Sequence, residues 1–139
     1  MRMLLLLIAL LPNDCYAKSL DINSAKLIYS VARFYDLDAQ ELITIAYVES
    51  RWNTKASRSN KNGSFDVGMF QINSVHWSTT CKDLNVFTEA GNAFCAGRIL
   101  YRLKKQYGDE DEDWIARYHS ATASKKQIYI KLLKEANTK

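Results

Sequence analysis

The chain has 139 residues, 47% of them hydrophobic and 24% charged, and a formal net charge of +4. That length suffices for one small hydrophobic core and excludes two. The mild positive balance favours acidic polymers as partners without choosing between nucleic acid, membrane and cell wall.

The first residues read as a leader rather than as part of the fold. Arg2 precedes an unbroken apolar run from Met3 to Leu11, and Cys15-Tyr16-Ala17 then presents small residues at a cleavage site. This is the pattern of a secretory signal cut after Ala17, which leaves residues 18–139 as the domain. The run is roughly half the ~20 residues of a spanning helix, so a retained anchor is the weaker reading. Cys15 is not a lipid attachment site, because Asp14 stands where such signals carry a small residue.

Export would leave Cys81 and Cys95, fourteen positions apart. An even count in an oxidising compartment reads as one disulfide. The spacing fits no zinc site, and neither His76 nor His119 has a partner at ligand spacing, so no metal or cofactor is expected.

Along the chain no repeat or linker interrupts a succession of helices. Ile22, Ala25, Ile28, Tyr29 and Ala32 recur at helical spacing, which predicts a helix over 23–35. Asp38 with Glu41 three residues later has the form of a capping box opening a second helix that continues to Ser50. From Thr54 to Ser64 the chain is polar, and Asn62-Gly63 is a turn signal flanked by short strands such as 64–67. Gly68 to Asn73 reads as a short helix or turn entering the core. A long helix is predicted over 88–107, stopping at Gly108, with Ala93, Ala96 and Gly97 allowing close approach of another helix.

A brief helix over 113–120 follows, and a last one opens at Ser124 and turns Ile128, Leu132 and Leu133 inward. The acidic run 108–114 reads as a solvated turn. Lys125, Lys126, Lys131 and Lys134 read as a solvent face rather than a nucleic-acid site, since no binding motif accompanies them. The fold class is α+β, predominantly helical, with a small β-hairpin element.

On the second helix Leu42, Ile45 and Ala46 form an apolar face, and Glu49 is its next member at i+7. A carboxyl there faces the core at the negative end of the helix, and both surroundings favour its protonated form, as a proton donor needs. The bland alternatives are a Glu that curls into solvent or pairs with Arg51. Ser50, the flat face of Trp52, and the amides of Gln71 and Asn73 are the ingredients of a carbohydrate cleft.

The segment from Glu49 to Asn73 resembles the signature of the lysozyme-like superfamily, especially soluble-type bacterial lytic transglycosylases. Glu49-Ser50, Trp52-Asn53, Gly68-Met69-Phe70-Gln71 and Ala116-Arg117-Tyr118-His119 stand in the family's order. The resemblance implies a bilobal lysozyme-like fold whose cleft takes peptidoglycan glycan strands. It implies Glu49 as catalytic acid, Ser50 orienting it or the substrate, Met69, Gln71 and Asn73 on the sugar, and Tyr118 hydrogen-bonded toward Glu49. Met69-Phe70 reverses the family's usual Leu-Met order, and His119 stands where the family has Asn, so His119 is left out of the site.

One residue divides two mechanisms. Lytic transglycosylases work with one carboxyl and leave a 1,6-anhydro end, whereas a retaining glycosidase needs two. Asp66 lies 17 positions after Glu49 in a stretch similar to that of animal-type lysozymes. It is either an auxiliary in the cleft or an Asx-type local hydrogen bond near the hairpin.

The reading is a secreted, periplasmic, monomeric lytic transglycosylase. It is similar to the small enzymes associated with secretion systems and pili, with a component of such a machine as partner. The alternatives are a lysozyme-type muramidase using Glu49 and Asp66, and a glycan-binding assembly protein without activity.

Overall fold

The computed structural model describes residues 19–120 and 123–138, so the expected leader and its cleavage site lie outside the described residues. Among the described residues, four α-helices, two short 3₁₀ helices and a three-stranded antiparallel sheet make up the fold.

Helix α1, Ile22–Tyr35, starts where Asp21 accepts the backbone N–H groups of Asn23 and Ser24. It buries Ile28, Val31 and Ala32 against the other helices, but Ile22 and Tyr29 are 67% and 55% exposed. The predicted stripe was too wide. Tyr29 lies 100° around the helix from Ile28, and α1 is covered only where α2 and α3 meet it. Gly97 permits that meeting, since a Cβ there would fall 2.5 Å from Val31 Cγ1.

Helix α2, Ala39–Ser50, is capped by Asp38, which accepts from Gln40 N–H at 2.7 Å. Its inward face is Leu42, Ile45 and Ala46, as the spacing predicted. Arg51 and Trp52 then adopt left-handed backbone conformations, φ 55° and 59°, which end the helix immediately beyond Glu49 and Ser50.

The polar middle folds as strands β1 (Ser57–Ser59), β2 (Phe65–Val67) and β3 (Ile72–Asn73), in that spatial order. Gly63, at φ 82°, closes the β1–β2 turn with its N–H on Asn60 O. The register sets Arg58 opposite Asp66 on one side and Asn73 opposite Asp66 on the other.

Between β2 and β3 the segment 68–71 is a turn that drives Met69 and Phe70 into the core. It is held from α3. Buried Asn92 donates to Val67 O and Val86 O at 2.8 and 3.0 Å and accepts from Phe70 N–H at 3.0 Å. Gly68 has φ 78°, and a Cβ there would lie 2.2 Å from Asn92 Nδ2, so both backbone and space require glycine.

Helix α3, Glu89–Tyr107, is capped by Thr88, and Cys95 on it joins Cys81 in the expected disulfide, Cα atoms 5.6 Å apart. The helix ends at Gly108 as predicted, although Gly108 keeps right-handed backbone angles.

The expected brief helix is present as a 3₁₀ helix, Trp114–Tyr118. The acidic run before it is not merely solvated. Asp111 accepts from Arg117 Nε and Lys126 Nζ, both at 2.9 Å, tying this turn to α4, Ala123–Asn137. Lys126 therefore leaves the predicted solvent face. Helix α4 also presents a different side from the one predicted. Tyr129 and Ile130 are buried and Leu133 packs beside them, while Ile128 and Leu132 are 64% and 44% exposed. Ser124 lies inside the helix rather than at its cap. Among the described residues no helix is long and apolar enough to cross a membrane.

Candidate active site

A cleft of about 520 Å³ runs between the sheet and the helices, and every helix except α1 contributes a residue to it. Glu49 from the end of α2 and Asp66 from β2 both line it, together with Gln71, Asn73 and Tyr118.

Glu49 sits where the helical spacing placed it, its side chain 8% exposed. Glu49 lines the cleft, and its carboxyl oxygen Oε1 is enclosed without a hydrogen bond of good geometry. Arg51 does not pair with it. The guanidinium lies 4.4 Å over the Tyr47 ring instead.

Asp66 is buried, and both its oxygens are occupied. Arg58 Nη2 and Asn60 Nδ2 donate to Oδ2, each at 2.9 Å, and Asn73 Nδ2 donates to Oδ1 at 2.7 Å. Burial alone would raise its carboxyl, but the bonds from Asn60, Arg58 and Asn73 and the Arg58 charge outweigh it and hold it below the ordinary carboxylate value. Of the two readings open for Asp66, it lines the cleft, and its local bonding is a side-chain network rather than an Asx-type turn.

Several residues expected on the sugar are also engaged within the protein. Met69 is 1% exposed in the core, because the turn 68–71 points it away from the cleft. Ser50 Oγ donates to Met69 O at 2.7 Å and accepts from Asn53 N–H, so it fastens the end of α2 to that turn. Asn73 gives its amide to Asp66 and Ser64 and its oxygen to Val75 N–H. Trp52 does not line the cleft but bonds Ile43 O through its indole N–H.

Tyr118 donates to Phe70 O at 2.7 Å, not to Glu49. Burial, then the charges of Glu49 and Asp66, push its phenol well up, so it remains a neutral donor. Gln71 does reach the cleft, from a left-handed backbone at φ 49°, with its Nε2 on Gly68 O.

Arg58, Asn60, Lys61, His76, His119 and Lys125 line the cleft without having been singled out for it. Arg58 was legible, since a hairpin centred on Asn62 puts it opposite Asp66. His119 was not, because its place depends on Tyr129 of α4, with which it stacks at 4.8 Å. Among the described residues no group of three or more His, Cys, Asp or Glu is placed to hold a metal ion.

One largely buried acid lining a cleft, with amides beside it and a partly basic rim, can protonate a glycosidic oxygen and bind a hydroxylated chain. The sequence comparisons agree with that chemistry. Residues 26–137 match the family described as Transglycosylase SLT domain. Lysozyme-like protein 6 of Homo sapiens is 37% identical over 81 residues, which are 50% of this chain and 53% of that protein. Lysozyme C of Ortalis vetula is 28% identical over 112 residues, covering 71% of this chain and 83% of that one. Lysozyme C of Penaeus merguiensis is 45% identical over 40 residues, 29% and 25% of the two chains. The chain thus spans about half the length of the human relative. No solved structure matches.

Proposed function

Because this chain belongs to the transglycosylase SLT domain family, we propose that it is a peptidoglycan lytic transglycosylase in which Glu49 is both acid and base. Glu49 gives its proton from Oε2 to the oxygen bridging N-acetylmuramic acid and N-acetylglucosamine, and the bond from the muramic anomeric carbon to that oxygen breaks. The carboxylate then takes the proton of the muramic 6-hydroxyl, whose oxygen bonds to the anomeric carbon. The product is a 1,6-anhydro end, and no water is consumed.

The observation that carries this reading is the state of Asp66. Arg58 neutralises it and three side chains occupy its oxygens, so it is poorly disposed to act as a nucleophile. Glu49 is then the cleft carboxyl that no such side-chain network ties up. A lysozyme-type hydrolase is the second reading, favoured by the lysozyme relatives and by Asp66 lining the cleft.

The disulfide suits an oxidising compartment, and we place the enzyme in the periplasm after loss of residues 1–17. Local opening of the wall for a secretion system or pilus is the role proposed there.

Mass spectrometry of purified peptidoglycan digested by the protein tests the reading. Anhydro-muramic ends, lighter by one water than reducing ends, are expected. Reducing ends would install the hydrolase with Asp66 as partner. Glu49→Gln should lower turnover by about 10²-fold or more at unchanged thermal stability, and normal turnover by that variant would remove Glu49 from the mechanism.

A further inference from the structure

The enclosed side of Glu49 has a structure of its own. Oε1 and the Tyr129 hydroxyl are both buried, and neither makes a hydrogen bond of good geometry, although the phenol lies close enough to interact with the Glu49 carboxyl as a donor. His119 Nδ1 stands 3.8 Å from Oε1. Its ring lies flat on Tyr129, centroids 4.8 Å apart and planes within 5°.

We propose that His119, held in plane by Tyr129, is a positioning residue that donates from Nδ1 to Glu49 Oε1 and so keeps the carboxyl proton on Oε2, facing the cleft. The inference rests on the reading of Glu49 as the acid.

A protonated carboxyl has one O–H and one oxygen that only accepts. A donor fixed at Oε1 makes that oxygen the acceptor and leaves the proton where substrate meets it. Once the proton has left, the same donor stabilises the carboxylate. The separation in the free enzyme is long for a hydrogen bond, and catalytic hydrogen bonds commonly tighten when substrate fills the site.

The stack supplies the aim. Tyr129 is 1% exposed and immobilised in α4, so the imidazole face has a rigid platform. Burial, then the Glu49 charge and the phenol's own interaction with that carboxyl, push the Tyr129 phenol far up, so it stays neutral beside the acid.

The test is steady-state turnover of purified peptidoglycan by the full chain and by three variants. His119→Phe keeps a flat ring on Tyr129 but has no Nδ1, His119→Ala removes ring and donor, and His119→Gln restores an amide donor. His119→Phe and His119→Ala should lower kcat about 10-fold or more at unchanged KM, and His119→Gln should recover part of it. A raised KM at unchanged kcat would make His119 a sugar ligand and overturn the inference. Parameters equal to wild type in His119→Phe and His119→Ala would overturn it as well. An inactive wild type would instead strike the functional reading itself, and the positioning role with it.

Discussion

Asp66 is the residue whose surroundings decide most. Its folded carboxyl titrates below the unfolded value near 3.8, so in the acid range the folded protein binds fewer protons than the unfolded chain. Stability from this group is therefore complete above that value and is lost as pH falls through the lower folded one. Asp66→Asn removes the titration and should flatten the acid limb of stability, measured by urea unfolding between about pH 5 and pH 2. At neutral pH the same variant should be less stable by about 1–3 kcal/mol, because the new amide turns a donor toward Asn60 or Asn73. Equal stability at pH 7 would mean that the network is slack. At this scale the sequence disclosed Glu49 because one helix alone places it, at i+7 of an apolar face. Asp66 stayed ambiguous because its meaning lies in Arg58, Asn60 and Asn73, which only strand register brings together. The core position of Met69 and the bond from Ser50 to its carbonyl were not legible, because the motif records positions in the chain and not the direction in which the turn 68–71 points.

Among the elements, the turn that carries Gln71 depends on α3. Asn92 replaces backbone partners for Val67 O, Val86 O and Phe70 N–H, and nothing in an asparagine near the start of a helix announces this. Asn92→Ala would orphan three buried groups, each worth about 1–3 kcal/mol, and the loss should be about 2–4 kcal/mol in denaturant unfolding. Turnover should fall with it, since the turn would release Gln71 from the cleft. A variant that keeps wild-type stability would assign the turn's shape to Gly68 alone. The start of α2 was readable from Asp38 as a cap, whereas Asp21 and Thr88 cap α1 and α3 without having been read as caps. The inward faces of the helices were less legible, for α1 and α4 are each covered on one narrow side. Hydrophobic spacing cannot tell Ile128 from Tyr129 when both are apolar and only the second faces Glu49 and His119.

Across the whole molecule the covalent link between Cys81 and Cys95 bears on where the protein can work. It ties the segment before α3 to that helix's first half, which also holds Asn92 and hence the cleft-forming turn. A loop of about 15 residues closed by a disulfide contributes roughly 3 kcal/mol in the chain-entropy model. A chain this small has a modest core, and a loss of that size should lower Tm by roughly 10–15 °C. Thermal melts with and without reductant measure it directly, with Cys81→Ala/Cys95→Ala as the control that no reagent effect intrudes. If the melts coincide, the bond is dispensable to the fold and the argument from redox compartment loses its force. If the reduced protein melts early yet retains turnover at low temperature, the bond serves endurance outside the cytoplasm rather than the chemistry of Glu49. That is the expected outcome, because neither cysteine touches the cleft and both lie in the core behind it.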